Sequence, residues 1–494
     1  MKNVKKFPLS KSRYMNGLHC PKMLWLSDHH PELSDDDAMN EQIPEERNKV
    51  EELARQYLKV VATVAYDPDK SAMLKETKKL LKQKKAVIAK ASFLYDGNFC
   101  RVDILQVFDE YVKMVEVKGS TQLSDLDDVA YQYYVLSGEG LTVKKASVMY
   151  INNQYTRTGD LNLKELFTIE NCTDKVRKMQ KLTAENIEQI RQSQLAEPKM
   201  DIDSRCDAGC CFFDHCRKQK HIPKNSVFDI ARLNKDKKYE YYRNGIITFK
   251  QVIKNNVHLS DKQLLQVRTE TEKLPPTIDR KEIRSFLKTL KYPLYFLDFE
   301  TFMDPIPPFD GTRPYMQIPF QYSLHILARK GGNPEHREFL AKEGTDPRRP
   351  LAEKLCQDIP CGVCVVVYNM SFEKRIIAEL AELFPDLSDH LTKINDSIKD
   401  IIQPFRSKAY YRREFAGSYS LKAVLPALYP DDKELDYQNL EIQNGGEAMD
   451  TFPTLHEKTS EEIAKIRKAL LAYCRLDTLG MVKILQFLET EAKE

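Results

Sequence analysis

Tyr295-Phe296-Leu297-Asp298-Phe299-Glu300-Thr301-Phe302 is the stretch on which the reading of this chain turns. Apolar residues surround two acids placed two apart. On a β-strand residues i and i+2 share a face, so both carboxylates point into one space. Carboxylates that close repel one another, and keeping them in an apolar strand costs several kcal/mol unless a cation compensates. A divalent ion that prefers oxygen ligands, Mg2+ or Mn2+, answers that need. The plain alternative is an edge strand with solvated acids, and the rest of the chain decides between them.

Downstream, IPFQYSLHIL reads as extended, and CGVCVVVYNMSFEKRIIAELAELF reads as a buried strand running into Tyr368-Asn369 and then a helix bearing Glu373. Cys361 and Cys364 form a CxxC at the entry of that strand and are assigned to packing. Asp400 closes a hydrophilic turn, and residues 417–422 open another helix. In the last helix, LLAYCRLDTLGMVKIL, Tyr473 and Asp477 lie four apart on one face.

Upstream, Cys20-Pro21 and Trp25 precede an acidic loop at Asp35–Asp37. A helix follows with Val50, Leu53, Ala54, Leu58 and Val61 near helical spacing, and with Glu46 and Glu51 read as solvated. Residues 71–86 form a basic amphipathic helix. VIAKASFLYDG, NFCRVDILQVF and YVKMVEVKGS alternate as strands, and the turns Asp96-Gly97 and Asp109-Glu110 join them into a β-meander. Asp103 sits on one strand, and Glu116 and Lys118 share a face of the next. The helix DDVAYQYYVLSG then carries Gln132. Residues 206–216, CDAGCCFFDHC, hold four cysteines in eleven residues. That density points to zinc or an iron–sulfur cluster. A zinc ribbon offers two CxxC pairs, and this segment has neither. Three ligands here with Cys20 as a distant fourth would staple the start of the chain to this point.

Bulk properties set the frame. With 494 residues, two or three domains are expected. The 42% hydrophobic and 30% charged residues suit a soluble globular protein, and no run of about 18 apolar residues suggests a membrane span. The basic N-terminus lacks the apolar centre of a signal peptide, so the cytoplasm is expected. Eleven cysteines in a reducing compartment favour ligation over disulfides. A net charge of +3 leaves nucleic-acid binding to local patches. Residues 226–285, polar and rich in Lys and Tyr, read as a helical connector. Tyr239, Tyr241 and Tyr242 among lysines there suit either base stacking or a solvated face.

Cys20, the Asp103…Glu116-x-Lys118 hairpin, the Gln132 helix and the late cysteines together resemble RecB-like PD-(D/E)XK nucleases with a [4Fe–4S] cluster. The CRISPR-associated adaptation nuclease is one of these. The resemblance covers roughly residues 1–225. It implies a restriction-endonuclease-like fold, with Asp103 and Glu116 as Mg2+ ligands and Asp103, Glu116, Lys118 and Gln132 as catalytic residues. It also implies Cys20, Cys206, Cys211 and Cys216 as cluster ligands, with Cys210 competing for the place of Cys211. The histidine that such nucleases carry on an early helix has no counterpart, and only Glu46 and Glu51 stand there.

Asp298-x-Glu300, Asn369-Met370-Ser371-Phe372-Glu373 and Tyr473-x-x-x-Asp477 resemble the DEDDy subgroup of DnaQ-like 3′–5′ exonucleases, which have an RNase H-like fold. Glu373 stands where these enzymes usually carry aspartate. The resemblance implies Asp298, Glu300, Glu373 and Asp477 as ligands for two Mg2+ or Mn2+, with Tyr473 orienting the attacking water. The order of the two halves is similar to a bacterial family whose C-terminal half is catalogued as of unknown function. The expectation is thus an α/β protein of two nuclease modules, 1–225 and 286–494, joined by 226–285. It would act on nucleic acid, DNA foremost, away from membranes. The alternatives are a nucleic-acid-binding protein with one or both sites inactive, and a redox sensor reading its cluster.

Overall fold

The structure, a computed structural model, describes residues 9–34, 45–83, 87–206 and 209–493, without the side chains of residues 45–47. The acidic Asp35–Asp37, residues 84–86 of the expected basic helix and the side chain of Glu46 thus lie outside the described residues. The protein is mixed α/β and divides into two compact units. None of the described helices is long and apolar enough to cross a membrane.

The first unit comprises residues 1–221 and 304–316. Its strands are β1 (Leu9–Ser10), β2 (Ala62–Thr63), β3 (Val87–Tyr95), β4 (Asn98–Val107), β5 (Val112–Lys118), β6 (Val143–Ile151) and β7 (Phe167–Asn171). They form one sheet in the order β2-β3-β4-β5-β6-β7, with β1 beside β4. Asp96 and Gly97, with φ of 44° and 71°, make a two-residue hairpin turn whose twist matches that of the strands it joins. The expected meander is present as the antiparallel run β3-β4-β5, but β6 then adds in parallel to β5. That parallel crossover needs a helix, and Asp127–Gly138 supplies it. One apolar cluster gathers Tyr14, Tyr131, Val148 and Ile187, and a second gathers Val50, Ala54, Val115 and Met149. Neighbours on β5 feed different clusters, Met114 the first and Val115 the second, as strand alternation requires.

The second unit comprises residues 222–303 and 317–494. Its strands are β8 (Thr277–Ile278), β9 (Leu294–Phe302), β10 (Ile318–Leu327), β11 (Glu335–Leu340), β12 (Cys364–Val367), β13 (Ile398–Asp400) and β14 (Tyr410–Tyr411). Five of them form a sheet in the order β11-β10-β9-β12-β13. β9, β12 and β13 run parallel, whereas β10 is antiparallel to both of its neighbours. β9 is the central strand, which explains why its apolar residues do not alternate. Leu297, Phe299, Leu324, Leu355, Ile376 and Leu391 join strands and helices in one apolar cluster. The helix Ser460–Glu491 begins in a capping box of Thr459 and Glu462 and packs along β9 and β10.

Two readings from the sequence change. Residues 226–285 belong to the second unit, because Phe228, Tyr239, Phe249, Val252 and Val267 are buried and give these helices a share in its interior. Of the CxxC pair, Cys364 is buried at the start of β12, but Cys361 is exposed before the strand begins. Replacing Leu297, fully buried beside Asp298, by alanine should destabilise the second unit by about 2–5 kcal/mol. Urea unfolding should show its transition at a lower midpoint with an unchanged slope.

Candidate functional site

In the second unit the acids come from three elements, and three of the four line one cavity. Asp298 and Glu300 leave the same face of β9, opposite Ser323 and Gln321 of β10. Asp477 comes from the middle of the helix Ser460–Glu491, and Glu373 from the first turn of the helix Ser371–Leu383. Between β12 and that second helix, Asn369 takes a left-handed φ of 76°, which asparagine tolerates better than most residues. The turn is held by the Asn369 amide, which donates to Asp400 at 3.0 Å. Asp298, Glu300, Tyr473 and Asp477 line a cavity of about 290 Å³, together with Tyr368 and Phe372.

Polar contacts fix the long helix against the sheet. Gln321 donates to the Leu470 carbonyl at 2.8 Å, and Thr478 lies 2.7 Å from both Ser323 Oγ and His325 Nδ1. The Cys474 thiol sits 3.8 Å from the Asp298 carbonyl and 3.7 Å from its Oδ2. Burial drives the His325 imidazole down to about 3, so it bonds as a neutral ring.

The electrostatics are those of crowded, under-compensated acids. Among the described residues, no Lys, Arg or His comes within 4.0 Å of the four carboxylates. Burial, and then the Asp477 charge, push the Asp298 carboxyl well above its usual range. Burial with Asp298 and Asp477 does the same to Glu300, and burial with Asp298 to Glu373. Asp477 rises by burial to about 6, restrained by the Tyr437 hydroxyl, which donates to it at 2.5 Å, and by Lys422 and Tyr473. Glu373 is 1% exposed, and its Oε2 has no hydrogen-bond partner. A buried carboxylate oxygen without a donor is expensive. The acids that line the cavity fit a hard divalent cation, which would meet their charge deficit. The sequence reading found the four acids and Tyr473 but missed Lys422, Tyr437 and Cys474. The aromatic–acid pairing of Tyr437 with Asp477 spans 40 residues and leaves no local pattern.

In the first unit the acids have partners. Lys90 bridges Asp103 and Glu51, at 2.7 Å to each. Lys11 and Gln132 reach Glu116 at 2.5 and 2.7 Å. Burial raises the Asp103 carboxyl, but Lys11, Lys90 and the Val117 amide outweigh it and hold it below the usual range. Burial and the Asp103 charge push Glu116 up to about 7, against the pull of Lys11. Glu51, read as solvated, is buried, because it adjoins the apolar face made by Val50 and Ala54. Lys118 shares the Glu116 face, but its ammonium is held by Ser124, Asp125 and Asp128 at 3.0–3.2 Å. Lys11 and Lys90 were missed. The hairpin turn at Asp96-Gly97 could have revealed Lys90, since counting back from it sets Lys90 opposite Asp103.

The cysteines of 206–216 and Cys20 are partly exposed, unlike the buried Cys100 and Cys172. Burial raises the thiols of Cys206, Cys210 and Cys216, and the Cys20 charge adds to each, so Cys20 lies within electrostatic reach of all three. Lys22 ties the helix Pro21–His29 to this segment by donating to Gln219 at 2.5 Å. Among the described residues, the group of three donors within 4.8 Å of one another is Asp298, Glu300 and Cys474, so no three of these cysteines are that close. Thiols in this number are a donor set that zinc or an iron–sulfur cluster could take.

Residues 295–420 match a family described as a domain of unknown function (DUF2779). The match takes in Asp298, Glu300 and Glu373 and ends before Tyr473 and Asp477. Among curated proteins, none matches the chain.

The acids of the second unit yield a pH test. Their folded pKa values are raised, so between the ordinary and the raised values the folded state binds more protons than the unfolded chain. Stability then falls as pH rises. For Asp477 that window runs from 3.8 to about 6, and Asp298, Glu300 and Glu373 extend it upward. With a chelator present, the melting temperature of the second unit should drop across this window. Excess Mn2+ should flatten or reverse the slope, and an identical slope with Mn2+ would contradict a metal centre.

Proposed function

We propose that the second unit hydrolyses phosphodiester bonds of nucleic acid, DNA foremost, as a metal-dependent exonuclease. One observation carries the reading: the carboxylates of Asp298, Glu300 and Asp477 line one cavity, the Glu373 carboxyl feels the Asp298 charge, and among the described residues none of the four has an ion-paired cation. The sheet order, with β10 antiparallel among otherwise parallel central strands, supports an RNase H-like fold. Asp298, Glu300, Glu373 and Asp477 would hold Mg2+ or Mn2+. Such ions supply an activated water and stabilise charge on the scissile phosphate. Tyr473 lines the cavity, and burial keeps its phenol protonated, so it can donate to the attacking water and hold it in line. Tyr437 fixes the second oxygen-bearing partner by its bond to Asp477. The walls Tyr368 and Phe372 offer rings against which a terminal base can stack.

For the first unit, the forked sheet with Asp103, Glu116 and Gln132 supports the PD-(D/E)XK reading. Metal-dependent cleavage there needs a divalent ion to displace Lys11 or Lys90. The closed ion pairs favour a second reading for this unit, in which it binds nucleic acid without cutting it. Cys20, Cys206, Cys216 and one of Cys210 or Cys211 would hold a [4Fe–4S] cluster. That cluster would be a structural staple adding folding energy.

Oligonucleotides labelled at either end, incubated with Mg2+ or Mn2+, test the whole reading. Asp298→Asn should lower 3′-end trimming by orders of magnitude, and Tyr473→Phe by roughly 1–3 kcal/mol in the barrier. Cleavage that survives Asp298→Asn belongs to the first unit. Intact ends on DNA and RNA with either ion would sink the exonuclease reading. Anaerobically purified protein should be brown, with iron and sulfide in near-equal amounts, and Cys216→Ser should bleach it. One zinc in a colourless protein would remove the cluster but keep the staple.

A further inference from the structure

Cys474 is unexplained by hard-ion chemistry. It is fully buried, one residue after Tyr473 and three before Asp477, and its thiol faces Asp298. Mg2+ and Mn2+ favour oxygen ligands, so neither needs a sulfur there. Yet the Asp298, Glu300 and Cys474 donors lie within 4.8 Å of one another. A tetrahedral ion bound at about 2.3 Å to sulfur and about 2.0–2.2 Å to oxygen sets the sulfur about 3.5–3.7 Å from each oxygen. Cys474 Sγ and Asp298 Oδ2 are 3.7 Å apart. A second observation points to an absent ligand. The buried Glu373 Oε2 has no partner, and the Asp298 charge acts on its carboxyl.

We propose that Asp298, Glu300 and Cys474 form a mixed carboxylate–thiolate site for a thiophilic divalent ion of the zinc class, in competition with the hard ions that the carboxylates alone would hold. The proposal rests on reading this cavity as a metal centre. As the ion–sulfur bond forms, the S–H bond breaks and the proton passes to water. The resulting thiolate and two carboxylates leave the occupied site with a single negative charge. A zinc-class ion there would occupy the oxygens of Asp298 and Glu300, so hard ions could enter only after it leaves.

Co2+ is the probe, because a cobalt–thiolate bond adds an intense sulfur-to-metal charge-transfer absorption to the weak visible bands. Full-length wild type, Cys474→Ser and Asp298→Asn are titrated with Co2+ under reducing conditions. Only differences between spectra are read, so the thiols of Cys20 and residues 206–216 cancel. Circular dichroism checks that each variant is folded, and the wild-type-minus-Asp298→Asn difference serves if Cys474→Ser does not fold. The expected result is a charge-transfer band in both differences. By calorimetry, Cys474→Ser should also weaken Zn2+ at least about tenfold more than Mn2+. Visible bands without charge transfer in the Asp298→Asn difference would overturn the thiolate ligand and spare the metal centre. No difference at all between wild type and Asp298→Asn would overturn both.

Discussion

Three buried carboxylates and a half-buried fourth, without a paired cation among the described residues, are the constraint to which the second unit is built. Charge on Asp298 and Asp477 raises the cost of ionising their neighbours. The unit spreads the burden over separate elements. β9 supplies two acids from one face, the long helix a third and the helix after β12 the fourth. Hydroxyls do what ammonium groups do elsewhere, with Tyr437 on Asp477 and Lys422 acting only from a distance. The first unit solves the same problem in the opposite way. There two lysines close directly on the acids, and Asp103 stays ionised below its usual range. The same residue types thus yield one site with a charge deficit and one already balanced.

The polar contacts behind the second site follow from that deficit. Acids that repel would push the long helix off the sheet unless something held it. Gln321, Ser323 and His325 on β10 hold it at Leu470 and Thr478, on either side of Tyr473 and Asp477. Each contact lies inside the protein, where an unmade hydrogen bond is costly, so together they set the position of the helix to within a fraction of a turn. The back wall of the cavity is thus polar, although the Gln321 Oε1 has no hydrogen-bond partner.

Much of this was legible in the sequence, for reasons that can be named. Asp298-x-Glu300 declares itself because strand alternation needs only two residues, and Tyr473 with Asp477 because a helix turn needs only four. The helix after Asn369 was readable from its apolar spacing, and so was the crossover helix carrying Gln132. What stayed hidden depends on distance along the chain. Lys11 meets Glu116 across 105 residues, and no local period carries that information. Glu51 was placed in solvent because helical spacing does not tell which edge of an apolar face will be covered. The helices of 226–285 passed for a connector since their few apolar residues are spread over several short segments.

Lys90 stands thirteen residues before Asp103, and Glu116 thirteen after it. The spacing is set by turns. Ala89 pairs with Ile104 and Ala91 with Val102 around the Asp96-Gly97 hairpin, so Lys90 falls opposite Asp103, although its own φ of 56° interrupts the ladder. One step beyond the Ile104–Val115 pair, where β5 parts from β4, Asp103 comes opposite Glu116. Loop length is therefore a ruler for charge. A one-residue insertion or deletion in either hairpin would move its partner to the other side of the sheet, because strands alternate with a period of two. Lineages that share this sheet should accept wide substitution in those loops and very little change in their length.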